Sequence, residues 1–196
     1  MTEQEYFSVH HSLTVNVEPL AMDFILPTGD AFEAEIPAPF IVASEFSHLD
    51  TLTDSAKQEL KSNDFKHVIQ LLDTQNSKLN LLLSFMLSQQ DEALFRHKTL
   101  SFGASQMTYL SEQALAMNTP VRVKLFLDTP AAAIYCYGHV ISAQLSDNQN
   151  NNVPIYAITI KYQQLRDCDQ DLLIKAALFQ QQKLLRQRSL EREQQN

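Results

Sequence analysis

The apolar residues of this chain change period at Asp91, and that switch divides it into a helical part and a strand-forming part. From Phe65 to Gln90 there is neither Gly nor Pro, and Phe65, Val68, Leu72, Leu79, Leu82 and Met86 recur at steps of three, four and seven. This is close to the 3.5-residue repeat of a coiled coil, with Gln75 and Asn76 as a polar break midway. A neighbouring register through Ile69, Leu72, Asn76, Leu79, Leu83 and Met86 fits as well. Leu71, Leu81 and Leu87 widen the apolar surface beyond what a two-stranded coil needs. The helix therefore either lies partly against its own domain or enters a bundle of more than two helices, and a small domain can hardly cover so wide a face. The segment 50–95 is read as an oligomerisation segment, with Asp50 or Thr51 capping a first helix to about Leu60 and Asp64 capping the long one.

Beyond Asp91 apolar and polar residues alternate. A strand is expected at Ser105–Tyr109 after the Gly103 turn, and VRVKLFL (121–127) puts Val121, Val123, Leu125 and Leu127 on one face. Residues 132–143 and 155–162 give two further strands, separated by an Asn-rich loop at 147–154. Close-spaced antiparallel strands of this kind predict a small barrel over 96–163. Upstream, LTVNV (13–17) alternates like a strand, whereas Pro19, Pro27, Pro37 and Pro39 suppress regular structure. Residues 1–49 are thus expected to be an extended arm with one strand that joins the barrel and a second at Phe40–Ala43. The end, 164–196, is expected to be a helix capped by Asp167 or Asp169, amphipathic through Leu172, Leu173, Ala176, Phe179, Leu184 and Leu190, and fraying past Gln180. The fold class is α+β.

Composition narrows the function. The 196 residues carry a net charge of −8, with 44% hydrophobic and 19% charged residues. An acidic chain has no general field for nucleic acid. The basic run KLLRQR (183–188) reads as a solvated helix end complementing the helix dipole. The N-terminus lacks a basic-then-apolar leader, and the most apolar run, Leu79–Leu87, is broken by Asn80 and Ser84. A spanning helix needs roughly 20 apolar residues, so no membrane insertion is expected and the cytoplasm is the default location. Two cysteines do not make a disulfide scaffold. His10 and His11 point to opposite faces of a strand, and His48, His67, His97 and His139 stand apart, so no metal is expected. Cys136 sits in a strand-like context, Cys168 lies between two aspartates, and neither a GxSxG nor a phosphate loop is present. A non-enzyme is expected.

The most specific stretch is Thr99–Ala104, TLSFGA. With the strands VRVKLFL, YCYGHVISA and YAITIKYQQL and the terminal DQDLLIKAALFQQQKLLRQR, it resembles the PilZ family of bacterial cyclic di-GMP receptors. Those domains carry a (D/N)xSxxG turn followed by barrel strands and a C-terminal helix. The resemblance covers about residues 96–190 and implies an antiparallel PilZ-like barrel with an inserted heptad-like helix. Ser101 takes the serine position and Gly103 a glycine position, so Arg96, Thr99, Ser101 and Gly103 mark the remnant nucleotide region. The family's RxxxR is missing, since Arg96 is the sole arginine before Arg122. Thr99 replaces Asp or Asn, and Ala104 replaces the last glycine. Each lost charge-assisted hydrogen bond is worth about 1.5–3 kcal/mol, and each 1.4 kcal/mol is about tenfold in Kd. No cofactor is therefore expected, and cyclic di-GMP is disfavoured. The resemblance to oligomerising, helix-bearing members implies a homo-oligomeric signalling scaffold or adaptor, in motility, pilus or attachment control, that meets a further protein partner. An altered cyclic di-GMP receptor is the alternative.

Overall fold

The computed structural model describes residues 8–59, 65–129, 131–146 and 154–194. Its strands are β1 (Ser8–His10), β2 (Thr14–Pro19), β3 (Arg96–Gly103), β4 (Gln106–Ser111), β5 (Pro120–Leu127), β6 (Ala132–Leu145) and β7 (Tyr156–Gln164). Pairing runs β3-β2-β5-β6-β7-β4 and returns from β4 to β3, so six antiparallel strands close a barrel. β1 continues along the edge of β3 that β2 begins. The helices α1 (Asp30–Glu35), α2 (Ala38–Glu59) and α3 (Lys66–Ser88) are inserted between β2 and β3, and α4 (Asp167–Gln194) follows β7.

The alternation expected for residues 121–127 places Val121, Val123, Leu125 and Leu127 inside the barrel. They meet Gly138, Cys136, Ile134 and Ala132 on β6 and share the interior with Val15, Val17, Met107, Ile158 and Ile160. At Gly138 β7 comes so near that a Cβ would sit 2.5 Å from the Lys161 carbonyl oxygen. Any larger residue there would force β6 and β7 apart. The LTVNV segment supplies β2, between β3 and β5, as the sequence suggests.

The outer face of β5 and β6 is covered by the arm and the first two helices. Phe24 stacks on Tyr137 at 5.7 Å between ring centroids, and Phe32 tilts against Tyr135 and Tyr137. Both phenols hydrogen-bond Glu35. Burial, and then the adjoining Glu35, hold the Tyr137 phenol above its ordinary range, so it remains a donor. Arg122 on β5 donates to Glu18 on β2 at 2.7 Å.

Three expectations are corrected. Phe40–Ala43 is not a strand but the first turn of α2, which begins at Ala38 rather than near Asp50. Pro37 and Pro39 do not break this helix. A helix leaves its first N–H groups without internal partners, so proline fits the first turn. The Pro37 carbonyl accepts the Phe40 N–H at 2.8 Å and starts the ladder. Phe40 is then buried edge-on against Phe126, with Ala43 and Ser47 on the same stripe. The expected cap Asp64 and the loop at 147–153 lie outside the described residues. Asp169 does not cap α4. It is buried in the first turn, and its carboxylate takes both Arg166 Nε (2.7 Å) and Nη2 (2.8 Å).

α4 buries Leu172, Leu173, Ala176 and Ala177 and touches β1, β3 and α2. The helix continues to Gln194, but past Gln180 its described side chains are exposed, including Leu184 and Leu190, as is Phe179 before them. The stripe read from the sequence is thus covered only in its first half.

α3 is tied to the barrel by a polar joint. Asn16 on β2 is 3% exposed. Its Nδ2 donates to Asp91 Oδ1 (2.8 Å) and the Glu92 carbonyl (3.1 Å), and its Oδ1 accepts the Glu92 N–H (2.9 Å). Arg96 Nε meets Asp91 Oδ2 at 2.8 Å, and Lys124 pairs with Glu92. Asn16→Ala leaves buried groups without partners, each costing about 1–3 kcal/mol. Urea unfolding of this variant should show about 2 kcal/mol of lost stability, and an unchanged midpoint would refute the joint's role.

Candidate functional site

β3 carries every residue of the remnant motif. Its eight residues rise about 3.3 Å each, so Arg96 and Gly103 lie roughly 23 Å apart at opposite ends. The structure does not bring them into one pocket.

Arg96 stands at one mouth of the barrel, held by Asp91. There an open cleft of about 710 Å³ is lined by Val17, Arg96, His97, Tyr109, Leu115 and Ile155, among others. His97 packs against Tyr109 with centroids 4.8 Å apart. Burial pulls the imidazole below its ordinary range, against a backbone hydrogen bond with Leu110 that works the other way, so the ring is kept neutral. Burial likewise raises the Tyr109 phenol. The cleft therefore combines neutral rings and apolar walls with the charged side chains of Arg96, Lys98 and Glu112. The sequence alone assigns no role to His97 or Tyr109, because their meeting depends on β3 and β4 pairing across the barrel.

Thr99 has a structural task. β1 and β2 pair with β3 in registers that differ by one residue, Ser8 opposite Gly103 but Thr14 opposite Lys98. The irregularity at residues 11–13 interrupts the ladder, and Thr99 repairs it. Its hydroxyl accepts the Leu13 N–H at 2.8 Å and donates to the His11 carbonyl at 2.7 Å, while its own N–H reaches the Leu13 carbonyl at 3.0 Å. At 3% exposed, the side chain has no face left for a ligand.

Ser101 is half-buried between His10 on β1 and Thr108 on β4. Gly103 is buried where β3 ends. Among the described residues the left-handed backbone positions are Gly29 and Asn118, so the turn at Ala104 needs no positive φ and the alanine fits. The Ala104 carbonyl accepts Gln170 Nε2 of α4 at 3.4 Å, and the Ser105 carbonyl accepts the Tyr162 N–H at 2.9 Å. The turn is thus engaged by α4 and β7.

The residues expected to drive oligomerisation lie elsewhere, on α3. Phe65, Val68, Leu72, Leu79, Leu82 and Met86 are all exposed along α3 and its N-terminal edge, with Leu82 at 62%. Leu71 and Phe85 flank this side, and Leu81 is exposed further round the helix. Of the neighbouring register, Ile69 and Asn76 are half-buried and Leu83 is fully buried, and with buried Leu87 they face the domain, whereas its Leu72, Leu79 and Met86 are exposed; on that side α3 touches α2 and β6.

Among the described residues no cluster of His, Cys, Asp and Glu could hold a metal ion, and no helix is long and apolar enough to cross a membrane. Cys136 is buried, and burial first, then Asp169, pushes its thiol far above the usual range. Cys168 is exposed.

Thr99→Val should cost about 2 kcal/mol, because two buried backbone groups lose their partner, while Thr99→Ser should retain most of the stability. Equal urea midpoints for valine and wild type would remove the bridging role.

No protein-family model matches the chain, and no curated protein matches it. Among solved structures it is similar to a pathogenic protein of Xanthomonas campestris, described as a tetrameric PilZ domain self-assembled via a helical bundle. That match has a TM-score of 0.54 at 12% identity over 93% of this chain and 91% of the other. The inhibitor of motility of Bacillus subtilis matches with a TM-score of 0.48 at 10% identity, and there the chain spans 53% of the other protein. The closed antiparallel barrel, the helices inserted ahead of the motif-bearing strand and the terminal helix together make this chain a divergent PilZ-like fold.

Proposed function

We propose that the protein is a non-catalytic scaffold that self-associates through α3 and does not take cyclic di-GMP in the usual way. The observation that carries this reading is the exposed apolar side of α3 from Phe65 to Met86, which its own domain leaves uncovered while packing on the adjoining side of the same helix. A folded domain rarely leaves so broad an apolar surface in water. The similar Xanthomonas protein is described as assembling through a helical bundle, which supports giving α3 that task here.

The remnant motif supports the second half of the proposal. Arg96 is engaged by Asp91, both valences of the Thr99 hydroxyl are used, and the turn at Ala104 and Ser105 is bonded to α4 and β7. No second arginine stands near the start of β3 to supply the paired guanidinium contacts that a cyclic dinucleotide's phosphates and guanines favour. The barrel and the projecting end of α4 are then left to meet a protein partner. The setting of motility, pilus or attachment control comes from the family resemblance.

Leu79→Asp with Leu82→Asp places carboxylates in the exposed stripe without touching Leu83 or Leu87. Light scattering should give a multiple of 22.3 kDa for the wild type and the monomer mass for the variant, with unchanged circular dichroism. An unaltered mass in the variant refutes assembly by α3. Calorimetric titration with cyclic di-GMP should give no saturable heat up to about millimolar ligand, some three powers of ten, or about 4 kcal/mol, weaker than micromolar binding. Micromolar heat that Ser101→Ala abolishes would make the protein a receptor instead.

A further inference from the structure

α4 carries a second apolar stripe besides the one that seats it on the domain. Leu172, Leu173, Ala176, Ala177 and Gln180 are buried and mark the inner side of the helix. Leu184 and Leu190 continue that side past the domain. Ile174, Leu178 and Leu185 lie on the opposite side and are exposed. Asp171 precedes them, Gln181 falls among them and Arg188 follows, in alternating steps of three and four residues. All six are exposed, and this spacing is the one that lays a helix along another helix.

The order along the stripe decides which helix fits. It runs acid, isoleucine, leucine, amide, leucine, base. Laid antiparallel on a copy of itself, with the two-fold axis between Phe179 and Gln180, Asp171 meets Arg188 of the second copy, Ile174 meets Leu185 and Leu178 meets Gln181. Each pair forms twice by symmetry. Laid parallel and in register, the stripe sets Asp171 against Asp171 and Arg188 against Arg188. Slipping the antiparallel pair by a heptad puts Asp171 opposite Gln181 or Arg188 opposite Leu178, so the charges lose their partners. An acid at the start and a base at the end also suit the helix dipole, but the dipole gives no reason for the exposed Ile174, Leu178 and Leu185 between them. The length of the helix points to the same occupant. α4 runs to Gln194, whereas Gln180 is the last of its described residues to be buried. In the antiparallel pair the projecting half of each helix lies on the docked half of the other.

We propose that the occupant of this stripe is α4 of a second copy of the chain, antiparallel, with the two Asp171–Arg188 pairs fixing the register. The contact is separate from α3 and goes beyond the reading given above. With both in use, each chain carries two self-complementary surfaces, and assemblies built on one are joined through the other.

From Asp171 to Arg188 the seam spans about 26 Å. So short a contact holds two chains weakly, and the readout is a covalent trap rather than a mass. The test uses the full chain with Cys168→Ser, which removes the exposed thiol and leaves Cys136 buried. Ile174→Cys and Leu185→Cys are placed on differently tagged chains, expressed singly and together, purified and oxidised. In the antiparallel pair like positions are about 17 Å apart along the axis, beyond the roughly 7 Å between Cα atoms that a disulfide allows. Co-expressed chains should give the mixed 174–185 dimer, and either variant alone should give none. Asp171→Arg and Arg188→Asp should each lower the yield about fivefold, and both reversals in one chain should restore it. At 1 M salt, where the screening length is about 3 Å, the yield should fall as well. Like-with-like crosslinks from either variant alone overturn the antiparallel arrangement. Folded chains without any crosslink place another partner on α4 and overturn the proposal. A mixed crosslink indifferent to both charge reversals removes the ion pairs as the device that sets the register. Asp171→Cys with Arg188→Cys repeats the trap if either first variant fails to fold by circular dichroism. The light-scattering mass of Leu79→Asp with Leu82→Asp tests α3 by itself, so failure of one contact is told from failure of the other.

Discussion

Closure of the barrel requires β2 to be hydrogen-bonded along both edges, to β3 through Thr14–Asn16 on one side and to β5 along Thr14–Pro19 on the other. A strand with one open edge would expose a row of unpaired N–H and C=O groups, and the interior apolar residues would lie open to water along that seam. The segment that closes the ring belongs to the N-terminal arm, separated in sequence from both of its partners. The same strand brings Asn16 to the base of the inserted helices, so the contact that completes the barrel also fixes the direction in which α3 leaves it. Thr99 has the companion role on β3, holding β1 and β2 on one edge despite their shifted registers. Displacing either side chain would disturb the ring before it disturbed any surface.

Within that frame the inserted helices divide their work. α1 and α2 serve the barrel, closing over Tyr135, Tyr137 and Phe126. α3 touches α2 and β6 along one side and turns its other side to solvent. The inserted segment therefore builds a domain and leaves an apolar surface exposed, and both features come from the two overlapping apolar repeats of one helix. The residues at the remnant motif positions serve the fold. A threonine in the position of an acidic or amide residue now bridges two backbone groups, and the turn that a glycine would open is occupied by alanine and bonded to its neighbours.

The barrel is legible in the sequence where one face of a strand is buried and the other is not, as in Val121–Leu127. It is less legible in β6, where Ala132–Gly138 are buried without interruption because the arm and helices cover the outer face. The start of α2 is hidden by Pro37 and Pro39, which read as breakers within a segment but are compatible with a first turn. Both faces of α3 are readable, since an apolar repeat does not depend on what covers it. The tasks of Thr99, Asn16 and His97 are not, because each depends on partners that only the closed sheet brings near. The identity of Ser101 and Gly103 suggests a motif, while the distance from Arg96 to Gly103 along one extended strand shows that those residues do not converge.

The placement of the two cysteines gives the molecule its own record of opening. Cys168 stands in solvent at the start of α4, while Cys136 faces inward on the central strand of the barrel, with its thiolate strongly disfavoured by burial. A thiol reagent in the surroundings would meet the first at the speed of ordinary surface chemistry. It would reach the second only when β6 parts from its neighbours, so alkylation at that one sulfur keeps time with rupture of the sheet. An oxidising environment would be felt at the helix long before it was felt in the core, and the fold would keep its shape while its surface sulfur changed.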